Sequence, residues 1–418
     1  MRIAIIGSGI AGLASAHLLS RRHAVTVFEH DARPGGHAHT VDVTVGGETH
    51  AVDTGFIVYN ERNYPGLSEL FGQLDVTTQP SHMSFSVTDP RHDLEWRSSS
   101  LNSVFAQRRN LLRRDFVSML RDIVSFNRHA RDLLDDCEAA HSLSLRELLA
   151  SGPWSPSLRE WYLAPMVSAI WSAPMADALD IPAATFAQFF DNHGLLSLGH
   201  RPQWRTVVGG SRAYVEKIAA PLGRRLRVNT PVSKVTRHRD GVEVMSDAFG
   251  PETFDHVVLA THSDQALALL SDPTDAEREI LGAIRYQPSA VVLHTDETLL
   301  PHSRRAWASW NYRLDGDGSP ATVTYHMNRL QSIPSRHQIL VSLNQTDRID
   351  ARRILGEYVY SHPVLDAGAI AAQRRIAEID GQRGTWYAGA YWGYGFHEDG
   401  LQSALRVGAG FGLELGRR

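Results

Sequence analysis

The sequence predicts an α/β protein built on a parallel sheet of the Rossmann type, with a second α+β unit inserted into it. Arg2–Ile6 is a short apolar run, typical of a buried parallel strand. Residues 10–21 have the apolar spacing of a helix, and Ala24–Phe28 is a second strand, so the chain opens on a βαβ unit. A similar apolar strand pattern returns at residues 255–261. Together these segments predict a sheet assembled from distant parts of the chain.

The turn between the first strand and the first helix has the GxGxxG spacing and reads Gly7-Ser8-Gly9-Ile10-Ala11-Gly12. The first glycine permits a tight turn, the second lets a pyrophosphate approach the backbone, and the third lets helix and strand pack closely. The helix N-terminus adds free N–H groups and a positive dipole end. Glu29 follows the second strand and is placed to accept hydrogen bonds from an adenosine ribose. This combination predicts a dinucleotide site; the alternative is a glycine-rich turn in another kind of α/β domain.

The residues after Glu29 distinguish between dinucleotides. The chain continues His30-Asp31-Ala32-Arg33-Pro34-Gly35-Gly36-His37. This segment resembles the ExxxRxGG signature of the flavin amine oxidase superfamily, and the resemblance implies FAD as the cofactor. It implies that Arg33 and the backbone of Gly35 and Gly36 contact the FAD diphosphate, with His30 and His37 beside them. His37 stands where these oxidases usually carry arginine, so we expect a weaker or pH-dependent electrostatic clamp.

Three later segments resemble further FAD-binding elements of the superfamily. In the first, Thr54, Gly55 and Phe56 would contact the flavin, whereas Asp53 is equally well explained as a turn-forming residue. In the second, the backbone of Val232 would hold the adenine, and a strand ends near the cofactor at Ala260. In the third, a helix N-terminus would point at the flavin pyrimidine. The residues assigned to this last element are Gly389, Gly395, Phe396, His397, Glu398, Asp399 and Ser403.

The same resemblance predicts two discontinuous domains. Residues 1–75, 206–262 and 381–418 are expected to form the FAD-binding domain, of the GR2 type found in p-hydroxybenzoate hydroxylase. Residues 76–205 and 263–380 are expected to form the substrate-binding domain around a mixed sheet.

Composition narrows the function classes. The 418 residues carry a net charge of −4, which gives no reason to expect a nucleic-acid partner. Cys137 is the single cysteine, which excludes an internal disulfide and a cysteine-based zinc site, and we expect no metal. We found no signal peptide and no apolar run of about 18 residues, so a cytoplasmic protein is expected. The oligomeric state is not predicted.

Two segments of the inserted region have open interpretations. Residues 105–134 form a basic amphipathic pattern, which suits either packing on the core or contact with the inner face of an anionic membrane. Large rings recur between Trp161 and Phe190, and this density is typical either of a core or of the wall of an apolar tunnel.

Amine oxidation is disfavoured by one absence. Amine oxidases of the superfamily carry a lysine near the flavin on the strand that here spans residues 289–294, and this strand has none. The two lysines of the chain are Lys217 and Lys234. A second GxGxxG and a CxxxxC motif are also absent, which argues against the disulfide reductases.

Motifs such as GGHAHTVDV, FFDNHGLL and GYGFHEDGL resemble a narrower bacterial group, often associated with cyclopropane-fatty-acid synthases. This resemblance implies an apolar, fatty-acyl or other lipid substrate, oxidised by hydride transfer to flavin N5. The leading hypothesis is therefore an FAD-dependent dehydrogenase or desaturase. The alternatives are a redox-neutral double-bond isomerase, an amine oxidase, and a non-catalytic flavoprotein partner of a lipid methyltransferase. For proton handling the candidates are His397, Tyr59 and His326, and Trp310 and Trp392 are expected to flank the flavin ring.

Overall fold

The computed structural model describes residues 1–135, 143–197, 202–314 and 321–416, and Cys137 lies outside them. The strands are β1 (Arg2–Ile6), β2 (Ala24–Phe28), β3 (Thr40–Val45), β4 (Glu48–Asp53), β5 (Tyr59–Asn60), β6 (Thr78–Pro80), β7 (Phe85–Asp89), β8 (Leu94–Arg97), β9 (Trp204–Val207), β10 (Leu226–Arg227), β11 (Val232–His238), β12 (Gly241–Ser246), β13 (Gly250–Phe254), β14 (His256–Leu259), β15 (Tyr286–His294), β16 (Trp310–Arg313), β17 (Val323–His326), β18 (Leu340–Leu343), β19 (Ile354–Pro363) and β20 (Thr385–Tyr387).

The α-helices follow the same chain order. They are α1 (Ile10–Leu19), α2 (Pro65–Gln73), α3 (Leu101–Val104), α4 (Arg114–Asp135), α5 (Leu145–Ser151), α6 (Pro156–Leu158), α7 (Ala164–Trp171), α8 (Ala183–Asn192), α9 (Arg212–Ala219), α10 (Ser263–Leu269), α11 (Asp275–Gly282), α12 (Met327–Leu330), α13 (Ala367–Gln373) and α14 (His397–Gly410).

A five-stranded parallel sheet holds the βαβ unit. Its order is β10-β2-β1-β14-β20, and every neighbouring pair is parallel. β1 is buried on both faces because its residues after Arg2 are apolar, and α1 and α14 pack against each other beside it. The carboxyl ends of β1, β2 and β14 therefore meet at one edge, where ligands bind in open α/β sheets. The predicted α/β class is confirmed.

A seven-stranded mixed sheet forms the second large layer. Its order is β19-β15-β18-β17-β16-β7-β8, and β16 pairs with β7 in parallel while the other pairs are antiparallel. This pairing joins residues 85–97 to residues 286–363. The helical region from α4 to α8 packs on one face of β7, β8 and β16. The residue boundaries of the two expected domains stay a prediction.

Helix α4 belongs to the basic amphipathic segment of residues 105–134, and its apolar face packs on the core. Its apolar residues Phe116, Met119, Ile123 and Phe126 are buried in the helical core. The core-packing interpretation thus holds for that face of the helix, and membrane contact by its basic face stays a prediction. Within the part of the chain that the structure describes, no helix combines the length and the apolar character that crossing a bilayer requires.

Candidate active site

A continuous cavity of about 1240 Å³ lies between the carboxyl edge of the parallel sheet, the seven-stranded sheet and the helical region. One section is lined by the glycine turn, the residues after β2 and the start of β11. The other is lined by aromatic and aliphatic side chains of the helical region and the mixed sheet. Of the predicted cofactor residues, the cavity is lined by Gly7, Ser8, Gly9, Ile10, Ala11, Glu29, His30, Arg33, Gly36, His37, Thr54, Gly55, Phe56, Val232, Ala260, Gly389, Gly395, Phe396 and His397.

The glycine turn combines two residues fixed by packing with one that faces open space. Gly7 has φ +98°, and a Cβ there would lie 2.6 Å from the Ala260 carbonyl oxygen. A Cβ at Gly12 would lie 2.0 Å from the Gly7 carbonyl oxygen, so Gly12 serves helix packing and does not line the cavity. At Gly9 a Cβ would meet nothing within 4 Å. Helix α1 starts there with no side-chain cap and no acidic residue in its first turn, so its N–H groups fit a diphosphate.

Glu29 shapes the turn from the other side. Its carboxylate accepts hydrogen bonds from the Ser8 backbone N–H at 2.9 Å, the Ser8 hydroxyl at 2.5 Å and the Asp31 backbone N–H at 2.9 Å. Arg33 lines the cavity and donates to the Gly36 carbonyl at 3.0 Å. Gly35 lies behind Gly36, where its N–H donates to the Ser8 carbonyl, and it does not line the cavity. The second strand and the ExxxRxGG segment are thereby tied to the glycine turn.

His37 lines the cavity together with two neighbouring histidines, His262 and His362. The His37 ring lies 5.4 Å from that of His362, 6.2 Å from that of His262 and 5.1 Å from that of Tyr360. Burial is the main cause that lowers the pKa of each of these histidines, to about 4 in His362, and His262 and His362 lower that of His37 further. Among the described residues, His37 Nε2 and His362 Nδ1 are buried without a hydrogen-bond partner. These neutral rings accordingly offer N–H groups to a polyanion.

Helix α14 points its first residue into the cavity. The His397 ring stacks on Phe56 with ring centroids 3.6 Å apart and planes at 12°. His397 Nε2 lies 3.1 Å from the Tyr214 hydroxyl. Burial lowers the pKa of His397 to about 3, so the ring is neutral at physiological pH. In this position the neutral His397 can exchange a hydrogen bond, but it lacks the second ring proton that an imidazolium gives up as an acid.

Three residues assigned to the cofactor from the α14 segment lie outside the cavity lining, which corrects those assignments. Glu398 accepts the backbone N–H groups of Gly66 and Leu67, both at 2.9 Å, and so caps helix α2. Asp399 accepts the Phe396 N–H at 2.8 Å and caps α14 itself. Ser403 accepts the Gly389 N–H at 2.8 Å, which fixes the chain after β20.

Two of the five catalytic candidates line the cavity, His397 and Trp310, and the other three do not. Tyr59 is buried in the core around α2. Strand alternation places His326 on the opposite face of β17 from the cavity, where its Nε2 lies 2.6 Å from Gln338 Oε1. The ring centroid of Trp392 lies 5.7 Å from the guanidinium carbon of Arg406. The described contacts of these three residues lie outside the cavity lining, and a role for them in proton handling or beside the flavin ring stays a prediction.

The rings between Trp161 and Phe190, which the sequence assigned either to a core or to a tunnel wall, are divided between the two. Part of the ring-rich segment is core, including Trp161, Phe186 and Phe190. The remainder lines the cavity, namely Tyr162, Met166, Ile170, Trp171 and Phe189. Among the described lining residues the carboxylates are Glu29 and Asp31, both just after β2. Away from β2, the described lining therefore holds no carboxylate, although it includes polar side chains such as Ser84, His193 and Gln203 beside the rings.

Several residues that line the cavity were not predicted from the sequence. His262 lies three residues after the end of β14, close to the strand end that was expected to reach the cofactor, and that position was a usable signal. Tyr360 and His362 lie two residues apart on β19, so their side chains share one face of the strand. The Tyr360 hydroxyl lies 2.7 Å from both Thr54 Oγ1 and His39 Nδ1. No sequence signal links residues about 300 positions apart.

The parallel sheet, the glycine turn and the open helix N-terminus define a dinucleotide-binding enzyme. Residues 10–349 match the model of the flavin containing amine oxidoreductase family, and the chain belongs to that family. Membership in this family implies a flavin cofactor, which is FAD in these oxidases. The open space at Gly9, the uncapped start of α1 and the unpartnered histidine nitrogens fit this cofactor.

Similar proteins include a putative flavin-containing monoamine oxidase, AofH, of Mycobacterium tuberculosis. It is 29% identical over 280 residues, which cover 65% of this chain and 59% of that protein, less than two thirds of its length. Among solved structures, a putrescine oxidase triple mutant has a TM-score of 0.72 at 16% identity. A fatty acid isomerase from P. acnes that produces CLA has a TM-score of 0.70 at 17% identity. Each alignment covers 98% of both chains, and these likenesses show the fold.

Proposed function

We propose that this flavoenzyme oxidises a C–H bond of an apolar, fatty-acyl or other lipid substrate. The observation that carries the proposal is the chemistry of the aromatic section, which offers rings and aliphatic side chains but no carboxylate among its described residues. An ammonium substrate buried there would lack a counter-charge, and an unpaired buried charge is strongly unfavourable. An acyl chain has no such requirement.

The lining of β15 supports the same proposal. This strand contributes Val291 to the cavity, and no lysine occurs between Tyr286 and His294. Trp310 and Tyr325 lie beside it with ring centroids 5.1 Å apart at 89°. A basic or water-holding group is therefore replaced by apolar surface at the position where amine oxidases of the family carry lysine.

The chain contributes binding and orientation. Bound FAD supplies the hydride acceptor for the oxidation. The rings of Tyr162, Trp171 and Phe189 exclude water and restrict the substrate to a slot. The neutral His397, held between Phe56 and Tyr214, keeps the start of α14 in place at the cavity wall. The N-terminus of this helix favours negative charge.

Anaerobic mixing of the FAD-loaded protein with fatty acids, acyl phospholipids or amines tests the proposal. Loss of the oxidised flavin absorbance near ~450 nm reports substrate oxidation. We expect an acyl substrate to bleach it and primary or secondary amines to leave it unchanged. Bleaching by amines alone would overturn the proposal.

A second candidate is amine oxidation, favoured by the 29% identity to the putative monoamine oxidase. Hydrogen peroxide released with an amine would support it. If neither lipid nor amine bleaches the flavin, two readings remain, a redox-neutral isomerase and a non-catalytic partner of a lipid methyltransferase. Double-bond migration after chemical reduction of the flavin identifies the isomerase.

A further inference from the structure

Two exposed leucines lie between two pairs of arginines directly before helix α4. This segment, called here the leucine–arginine loop, reads Arg108-Arg109-Asn110-Leu111-Leu112-Arg113-Arg114. It contains four arginines and no acidic residue, although the whole chain has a net charge of −4. Leu112 is 90% exposed and Leu111 is 53% exposed. Neighbouring exposed apolar side chains that are rimmed by polar residues are typical of an interaction surface.

Hydrogen bonds hold the leucine–arginine loop in place beneath the two leucines. Asn110 is fully buried, and its Nδ2 donates to the Glu95 carbonyl at 3.3 Å. Arg109 donates to the Asp93 carbonyl at 2.8 Å and forms an ion pair with the Asp93 carboxylate at 2.5 Å. Because the residues before the leucines are anchored in this way, the loop presents both leucines to the solvent in a defined conformation.

The other three arginines of the loop keep an unneutralised charge. Among the described residues, no carboxylate forms an ion pair with Arg108, Arg113 or Arg114. The outer face of α4 extends the surface with Val117, which is 46% exposed, and Arg121, whose side chain is 78% exposed. These two residues are four apart and therefore neighbours on the helix. The surface is thus positively charged with aliphatic side chains at its centre.

We propose that the leucine–arginine loop binds the surface of an anionic lipid bilayer. Clusters of arginine are attracted to anionic headgroups, and the phosphates of these headgroups match the guanidinium fork. The two leucines between the arginines then enter the boundary between headgroups and acyl chains, which removes their apolar surface from water. A nucleic acid offers phosphates to the arginines but no apolar layer to the leucines.

Flotation of the FAD-loaded protein with lipid vesicles tests the proposal. We expect wild type to float with vesicles of phosphatidylglycerol in phosphatidylcholine, but not with phosphatidylcholine alone, and high salt to weaken the binding. No flotation with the anionic vesicles, or equal flotation with both compositions, would overturn the proposal. Because flotation requires no turnover, its result is independent of the proposed oxidation.

The double variant R108Q/R114Q tests the contribution of charge. It is expected to weaken vesicle binding by about fivefold for each arginine removed. R224Q/R225Q is the matched control, because Arg224 and Arg225 are neighbouring exposed arginines outside the loop and their loss changes the net charge equally. Equal weakening in the two double variants would show an effect of net charge alone and would contradict a specific surface.

The variant L112Q tests the contribution of the leucines. It is expected to weaken vesicle binding by about tenfold, because a buried leucine contributes more than glutamine at an apolar boundary. L355Q, at an exposed leucine of β19, is the control. L112Q is expected to keep the flavin absorbance and unfolding temperature of wild type, since Leu112 is exposed. Binding of L112Q equal to that of wild type would contradict insertion of the loop.

An oligonucleotide distinguishes the membrane from another polyanion. The proposal is wrong if wild type binds the oligonucleotide, R108Q/R114Q loses that binding, and neither protein floats with anionic vesicles.

Discussion

Asp53 and Gln331, 278 residues apart, exchange two hydrogen bonds. The Asp53 backbone N–H donates to Gln331 Oε1 at 2.9 Å, and Gln331 Nε2 donates to Asp53 Oδ2 at 2.9 Å. Asp53 Oδ1 accepts the Ser211 backbone N–H at 2.9 Å and the Ser211 and Thr40 hydroxyls. One carboxylate thus joins the segment before Thr54, which lines the cavity, to two distant parts of the chain.

Asp53→Asn is expected to reduce the free energy of unfolding by ~1–3 kcal/mol, because the new amide places donor against donor at Gln331 Nε2. Urea unfolding of the FAD-free protein measures the loss. The double variant D53N/Q331E reverses donor and acceptor and is expected to recover part of it. If the loss of unfolding free energy in the double variant equals the sum of the losses in the two single variants, the two side chains are not coupled.

Alanine substitutions at Gly9 and Gly7 are expected to have different effects, the first on cofactor binding and the second on folding. Gly9→Ala adds a methyl group into the open cavity, so FAD affinity falls while the stability of the FAD-free protein changes by less than ~1 kcal/mol. Gly7→Ala adds the same group at φ +98° against the Ala260 carbonyl, which destabilises the fold. The FAD content of purified protein and its thermal unfolding measure the two effects. Equal losses of stability would contradict this division.

Glu398→Ala is expected to cost ~0.5–2 kcal/mol of stability, because the N-terminus of α2 loses its cap. FAD content is expected to remain that of wild type. Glu61→Ala, at an exposed surface ion pair, is the control with little effect. Release of FAD by E398A without loss of stability would restore the original assignment of Glu398 to the cofactor.

The FAD-free protein is expected to lose stability as the pH falls from about 6.5 to 4. Burial lowers the pKa of His39, His193, His294, His326 and His362 to about 4, below the value of an exposed histidine. In this window the unfolded chain binds more protons than the folded one, so the free energy of unfolding rises with pH.

Burial of Asp53 and Asp399 raises their pKa values to about 6 and opposes this trend, but the histidines outnumber them. Urea unfolding at pH 7.5 and pH 5 measures the net slope. His362→Gln is expected to flatten it, and His30→Gln, at an exposed ring, is expected to leave it unchanged. A steeper fall in H362Q would contradict the assignment of a neutral His362.

Ile170→Glu is expected to reduce acyl-dependent flavin bleaching by about tenfold more than Ile170→Gln, because the carboxylate must be buried against an apolar chain. Val124→Glu, on the exposed side of α4, is the control. Faster bleaching by amines in I170E would indicate that a missing counter-charge is what excludes amines. Equal rates for the two Ile170 variants would show that no acyl chain reaches this wall.

The sequence predicted the parts of the fold and site that local patterns encode. The strand, glycine turn and helix of residues 2–19 were recognisable because periodicity and GxGxxG are short-range signals. Glu398 was misassigned because its cap on α2 spans 332 positions. The place of His326 outside the cavity lining was not predictable, because the register of β17, and so the face of its side chains, is set by pairing with β16 and β18. The pairing of β7 with β16 was equally invisible in the sequence.

The order of the five-stranded sheet has a consequence for synthesis on the ribosome. β1 emerges first, but its neighbour β14 lies more than 250 residues later, and the partner of β14 on the other side, β20, begins at Thr385. Helix α14, which packs on α1, follows still later. β1 can pair early with β2, but it waits more than 250 residues of synthesis for β14, which leaves its other edge open to chaperones and to aggregation.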